Sequence, residues 1–275
     1  MNKRTLLILG ISVILIGAGI AAFMRLHKPS ETSKESAQTS ASVNQLLEEA
    51  SKYEAQGEKL KAKATYAEIV SNYPDYDKVE EVQQKLGDIN LAIINSNIET
   101  PQTVMYEVKP GDSLGKLAKQ YNTTKELIKK ANNVKSDVIR VGQQLRIWTA
   151  PFSIMIYKGQ NMLEIKSDNE IVKTYHISTG VNNSTPVGTY KIATKIVSPV
   201  WYRSEGVPIP AESPDNPLGS RWMGFDTNPH YGIHGTIDPN KIGQSVSAGC
   251  VRMKNPDVEE LFDLVPQGTA VIIKD

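Results

Sequence analysis

Two short segments in the last third of the chain hold residue types suited to nucleophilic chemistry. They are N-P-H-Y-G-I-H-G-T around His234 and S-V-S-A-G-C-V-R-M around Cys250. Cys250 is the only cysteine, so neither an intramolecular disulfide nor a two-thiol zinc site can be built. A thiol with the reference pKa of about 8.5 is only a few per cent ionised near neutral pH and needs a base or cation beside it. His234 is the nearest candidate. An ion pair with its imidazolium supplies the roughly 2 kcal/mol that a downward shift of about 1.5 pKa units requires. Gly249 permits a strained turn or a close approach of backbone to substrate, and the amides of Gly249 and Cys250 could form an oxyanion hole. Arg252 lies two residues beyond the thiol, on the same side of a strand. Its guanidinium suits bidentate capture of a peptide carboxylate, or equally a structural ion pair at the edge of the site.

These residues need a scaffold, and from Phe152 onward the sequence supplies strands. Ile154 and Ile156, Met162–Ile165, Lys173–Ser178 and Thr189–Ala193 are short period-2 runs separated by polar turns, which predicts antiparallel sheet. Helical spacing returns only over Asp257–Leu264, where Val258, Leu261 and Phe262 share a face. Residues 152–275 therefore read as a mainly-β sandwich or barrel with a small helical cap.

The two motifs together, H-G-T followed by S-x-G-C-[IV]-R-[ML], resemble the signature of the L,D-transpeptidase catalytic domain. Thr185-Pro186-Val187-Gly188-Thr189-Tyr190, Pro208-Ile209-Pro210 and Asn216-Pro217-Leu218-Gly219-Ser220-Arg221-Trp222 extend the resemblance in the family's order. It implies a cysteine acyltransferase of peptidoglycan. Cys250 would attack the diaminopimelyl carbonyl of a tetrapeptide stem and release D-alanine, and an acceptor amine would resolve the thioester into a 3-3 cross-link. Carried over residue by residue, His234 is general base and acid, and the Gly235 carbonyl orients its ring. Ser247, Gly249, Arg252 and Tyr231 form the substrate-binding set. Ala248 departs from the family, many members of which carry histidine there. Water as acceptor would make the protein an L,D-carboxypeptidase. A zinc site on His230, His234 and Cys250 is the rival reading of the same residues, and a non-catalytic wall-binding scaffold is the rival for the whole chain.

Upstream, residues 104–148 read as β-α-α-β: a strand into the Pro110-Gly111-Asp112 turn, a helix capped by Ser113, and a second helix with a capping box from Thr123 to Glu126. A strand over Gln144–Trp148 completes the unit. The segments V-K-P-G-D-S-L, A-N-N and V-G-Q-Q-L-R-I resemble a LysM domain, which implies binding to peptidoglycan glycan strands. Gly115 stands where that family often carries an aromatic ring.

Residues 43–98 carry three helical runs. Val43, Leu46, Leu47, Ala50 and Tyr53 open them, Gly57 interrupts, Asn72-Tyr73-Pro74 stops the second, and Val79, Val82, Leu86, Ile89 and Ile93 mark the third. Ala50–Pro74 resembles a single tetratricopeptide-like hairpin, whose partner the sequence does not name. Residues 29–42 are polar and predict an unstructured linker. The apolar run of residues 5–24 follows Lys3 and Arg4 and, at about 20 residues, matches the hydrocarbon thickness of a bilayer as an uncleaved single-pass anchor within residues 1–28. The implied chain is multidomain, held in the cytoplasmic membrane with its catalytic part toward the periplasm or wall. A net charge of +1 gives no basic field for nucleic acid, and the chemistry requires no cofactor or metal.

Overall fold

The computed structural model describes residues 31–202 and 206–275. Three helices come first: α1 (Glu31–Ala55), α2 (Lys59–Asn72) and α3 (Val79–Ile94). The predicted apolar stripes of α1 and α3 converge on one core, where Val43, Ala50, Val82, Ile89 and Ile93 are buried together with Ala62, Tyr66 and Ile69 of α2. Gly57 makes the first turn in the left-handed region, at φ +74°. The expected linker over residues 29–42 differs: from Glu31 the chain is already helical. A polar segment can still propagate as helix from a packed nucleus such as Val43–Ala50, because extension is far cheaper than nucleation. Among the described residues no helix is long and apolar enough to cross a membrane. The expected anchor over residues 5–24 lies outside the described residues.

The second unit is β1 (Thr103–Glu107), α4 (Leu114–Gln120), α5 (Lys125–Ala131) and β2 (Gln144–Trp148). The two strands pair antiparallel with Thr103 opposite Trp148. Ser113 caps α4 by accepting from the Lys116 amide at 3.3 Å. The second cap falls one residue later than the spacing predicts: Thr124, in extended backbone, accepts from the Leu127 amide at 3.0 Å. With α5 starting at Lys125, Glu126 sits too early to close a capping box.

The remaining strands are β3 (Phe152–Tyr157), β4 (Met162–Ser167), β5 (Glu170–His176), β6 (Thr179–Gly180), β7 (Gly188–Val197), β8 (Arg221–Phe225), β9 (Gly232–His234), β10 (Ser245–Ser247), β11 (Val251–Arg252) and β12 (Ala270–Lys274). Eight of them form one sheet in the order β11-β9-β8-β7-β12-β3-β4-β5, and β6 pairs with β10. The sheet is mixed rather than antiparallel throughout: β12 runs parallel to β3, β11 to β9 and β10 to β6. Helix α6 (Asn255–Leu264) connects β11 at one sheet edge to β12 in the sheet interior, a crossover that no hairpin could make. Alternate residues Ile154, Ile156, Leu163, Ile165, Val271 and Ile273 join Val258, Leu261 and Leu264 of α6 in the main core.

The three parts pack on one another. The edge strand β5 is covered by α3, whose Asn90 side-chain amide donates to the Val172 carbonyl at 3.0 Å and whose Gln84 donates to the Thr174 carbonyl at 3.4 Å. Amide side chains thus stand in for a further strand along an otherwise open edge. Lys173 pairs with Asp88 of α3 at 2.8 Å and with Glu260 of α6 at 3.0 Å. Arg146 of β2, fully buried, donates to the Ile94 carbonyl at the C-terminus of α3 at 2.8 Å, a position where the helix dipole favours a cation. From α5, Lys130 reaches Asp263 of α6 at 2.7 Å.

Candidate active site

Strand β9 ends on His234, which stands opposite Trp222 of β8 and Arg252 of β11 in the sheet register. Residues paired across strands share a face, so Trp222, His234 and Arg252 lie side by side, while Ile233 and Val251 face the core. Cys250 occupies the turn between β10 and β11, with its thiol facing the His230 carbonyl at 3.5 Å. His234 Nδ1 lies 2.7 Å from the Gly235 carbonyl, so Nδ1 carries the hydrogen and Nε2 is left as the basic nitrogen. Trp222 stacks on the imidazole at 5.8 Å between ring centres and an interplanar angle of 25°.

Ser247 fixes the turn that carries Cys250. Its hydroxyl donates to the Cys250 carbonyl at 2.6 Å and accepts from the Gly249 amide at 3.0 Å. Of the two amides expected to hold an oxyanion, that of Gly249 is therefore engaged within the turn, and the Cys250 amide is the candidate donor. Gly249 adopts φ +131°, and a Cβ there would collide with the ring of Tyr231. Tyr231 thus acts as a wall behind the turn. Arg252 is half-buried, and its Nε has no partner among the described residues.

Burial governs the electrostatics. It pushes His234 down to about 4, opposed by the hydrogen bond to the Gly235 carbonyl and reinforced by the positive charge of Arg252. Burial likewise pushes the Cys250 thiol up, against opposing pulls from the Gly232 amide and Arg252. The sequence predicted a thiolate paired with imidazolium. Burial favours a neutral thiol at Cys250 and a neutral imidazole at His234, because desolvation penalises both charged forms.

A cleft of about 340 Å³ opens over the thiol. Its walls include Val200, Trp201, Tyr202, Leu218, Trp222 and His230, with Cys250 at its base. His230 is exposed on this rim, and His176 is exposed at the end of β5. Motif reading did not single out the roles of Trp222, Leu218 and Asn255. The first two lay inside a recognised segment with nothing to mark them as cleft walls. Asn255 lies outside both motifs, just ahead of the expected helix.

The L,D-transpeptidase catalytic domain model, YkuD, matches residues 151–273, and the LysM domain model matches residues 106–148. A Bacillus licheniformis protein named as the L,D-transpeptidase YkuD is 34% identical over 62% of this chain and 98% of its own length. One from Bacillus subtilis, named as the L,D-transpeptidase YqjB, is 40% identical over 44% of this chain and 70% of its own. The solved catalytic domain of an Enterococcus faecium L,D-transpeptidase aligns with a TM-score of 0.38 and 21% identity, over 46% of this chain and 98% of that one. With a relative above 30% identity spanned almost end to end, the chain belongs to the L,D-transpeptidase family and carries a LysM domain.

Proposed function

We propose that the protein forms 3-3 peptidoglycan cross-links through a thioester on Cys250, with His234 as the proton carrier. The observation that carries this reading is that Cys250 lines an open cleft, while the buried His234 imidazole stacks on the cleft residue Trp222 with Nδ1 tied to Gly235 so that Nε2 stays basic. Cys250 Sγ bonds to the diaminopimelyl carbonyl carbon of the donor stem while its proton passes to His234 Nε2. The carbonyl oxygen takes up negative charge beside the Cys250 amide. Collapse breaks the carbon–nitrogen bond, and His234 returns the proton to the departing D-alanine amine. An acceptor amine then attacks the thioester, and Sγ leaves with its proton restored. Arg252, half-buried and opposite His234 in the sheet register, is the guanidinium assigned to a stem carboxylate.

The LysM unit at residues 104–148 would hold glycan strands while residues 5–24 anchor the chain in the cytoplasmic membrane, with residues 43–275 on the wall side. The helical part joins these two attachments to the catalytic unit through the contacts of α3. Muropeptide analysis after incubation with disaccharide-tetrapeptide tests the reaction. A 3-3 linked dimer is expected; tripeptide without dimer would replace transfer to an amine by transfer to water, and no product would contradict both.

A further inference from the structure

We propose that Asn255 is a positioning residue for the His234 imidazole, acting through the two backbone segments that hold the ring. Its Oδ1 accepts hydrogen bonds from the Thr236 amide at 3.1 Å and the Ser220 amide at 3.2 Å. Thr236 follows Gly235, whose carbonyl faces Nδ1 at 2.7 Å. Ser220 closes the segment that begins at Leu218, whose carbonyl also favours the charged imidazole and whose side chain lines the cleft. One amide oxygen therefore joins both segments that contact the imidazole.

Local packing is built around this node. Gly219, at φ +63°, and Gly235 leave room for the amide, since a Cβ on either would collide with Asn255 Oδ1. Asn255 opens α6, yet the helix has no side-chain cap: Lys254 holds the N-cap position without such a bond. An asparagine serving only its own helix would accept from amides one turn further on. Here the side chain turns away to two other segments. It is also tied to the nucleophile, because β11 runs directly from Cys250 toward Asn255 and the Met253 amide donates to the His234 carbonyl at 2.9 Å.

The uncharged amide suits this place. An aspartate could accept the same two hydrogen bonds, but its charge would stabilise the imidazolium and withdraw the base at moderately acidic pH. The inference rests on His234 acting as the base, and its test is made independent of turnover. The full chain in detergent, with ¹⁵N-labelled histidine, gives four histidine signals, assignable with a His234→Gln variant. Titration of the wild type is expected to show His234 neutral and protonated at Nδ1 well below the usual imidazole range.

Asn255→Ala is expected to lose the single tautomer, giving averaged Nδ1 and Nε2 shifts. Asn255→Asp is expected to keep the tautomer and titrate at least one pH unit higher, a tenfold change in proton affinity. If the alanine variant does not fold, the aspartate variant decides. Wild-type shifts in Asn255→Ala, or an unchanged titration in Asn255→Asp, would overturn the assignment. A wild type that shows the expected tautomer but no transpeptidation would instead contradict the proposed reaction alone.

Discussion

Arg252 stands directly opposite His234 in the parallel pairing of β11 with β9, and its positive charge helps hold the imidazole neutral. The same charge pulls the Cys250 thiol toward ionisation, although burial outweighs it. One guanidinium therefore lowers the proton affinity of both the thiol and the imidazole, while its Nε has no partner among the described residues. Arg252→Met is expected to raise the His234 pKa. It should also raise KM for a donor stem about 10- to 100-fold, as charge-assisted hydrogen bonds to a carboxylate are each of order 1.5–3 kcal/mol. Steady-state kinetics with donor stems that carry or lack the terminal carboxylate separates the two effects. An equal loss on both donors would remove carboxylate binding from its role.

The buried imidazole sets a pH window. Its folded-state pKa of about 4 lies below the ordinary value of 6.5, so the fold favours the neutral ring. The corresponding stability is complete above pH 6.5 and is lost as the pH falls from there toward 4; it amounts to roughly 3 kcal/mol. Denaturant unfolding from pH 7 to 4 should show this loss, and a His234→Gln variant should show less of it. The rate is expected to hold down to an acid limb near the same low value, because the base stays unprotonated. A limb at the ordinary histidine value would contradict the neutral pair.

Ser247→Ala removes both bonds that close the nucleophile turn and leaves the Gly249 amide buried without an acceptor. A cost of about 1–3 kcal/mol in stability is expected, with a larger fall in kcat than in KM. Thermal unfolding and acylation rates check the pair of effects; unchanged acylation would make Ser247 a bystander to the thiol's placement.

At Gly249 two restraints coincide: φ is +131°, and a Cβ would meet the Tyr231 ring. Gly249→Ala should therefore cost a few kcal/mol, of which the backbone part is about 1–3. Adding Tyr231→Ala relieves the collision but not the dihedral, so the double variant is expected to recover only part of the stability lost at Gly249. Full additivity of the two losses would show that the ring is not what opposes the side chain.

Much of this was legible beforehand because short-range signals dominated. The Cys250 and His234 motifs, the strand at Gln144–Trp148 and the apolar faces of α1 and α3 depend on spacing alone. Long-range consequences were not legible. Parallel pairing of β12 with β3 depends on where the chain returns after α6, and no local pattern encodes that return. The helical start at Glu31 came from propagation out of a packed neighbour, whereas composition spoke only of polarity. The electrostatic state of the thiol and imidazole turned on burial, which reversed the expected ion pair. Asn255 was invisible as a positioning residue because its partners, Ser220 and Thr236, are amides of other segments.

The proposed reaction passes through a covalent intermediate on Cys250, which intact-protein mass spectrometry during turnover on a disaccharide-tetrapeptide detects. A mass increase equal to the donor stem less D-alanine is expected, mapped to Cys250, discharged by added acceptor amine, and absent in Cys250→Ala. Cross-linked product formed by Cys250→Ala, or an adduct mapped to another residue, would contradict it.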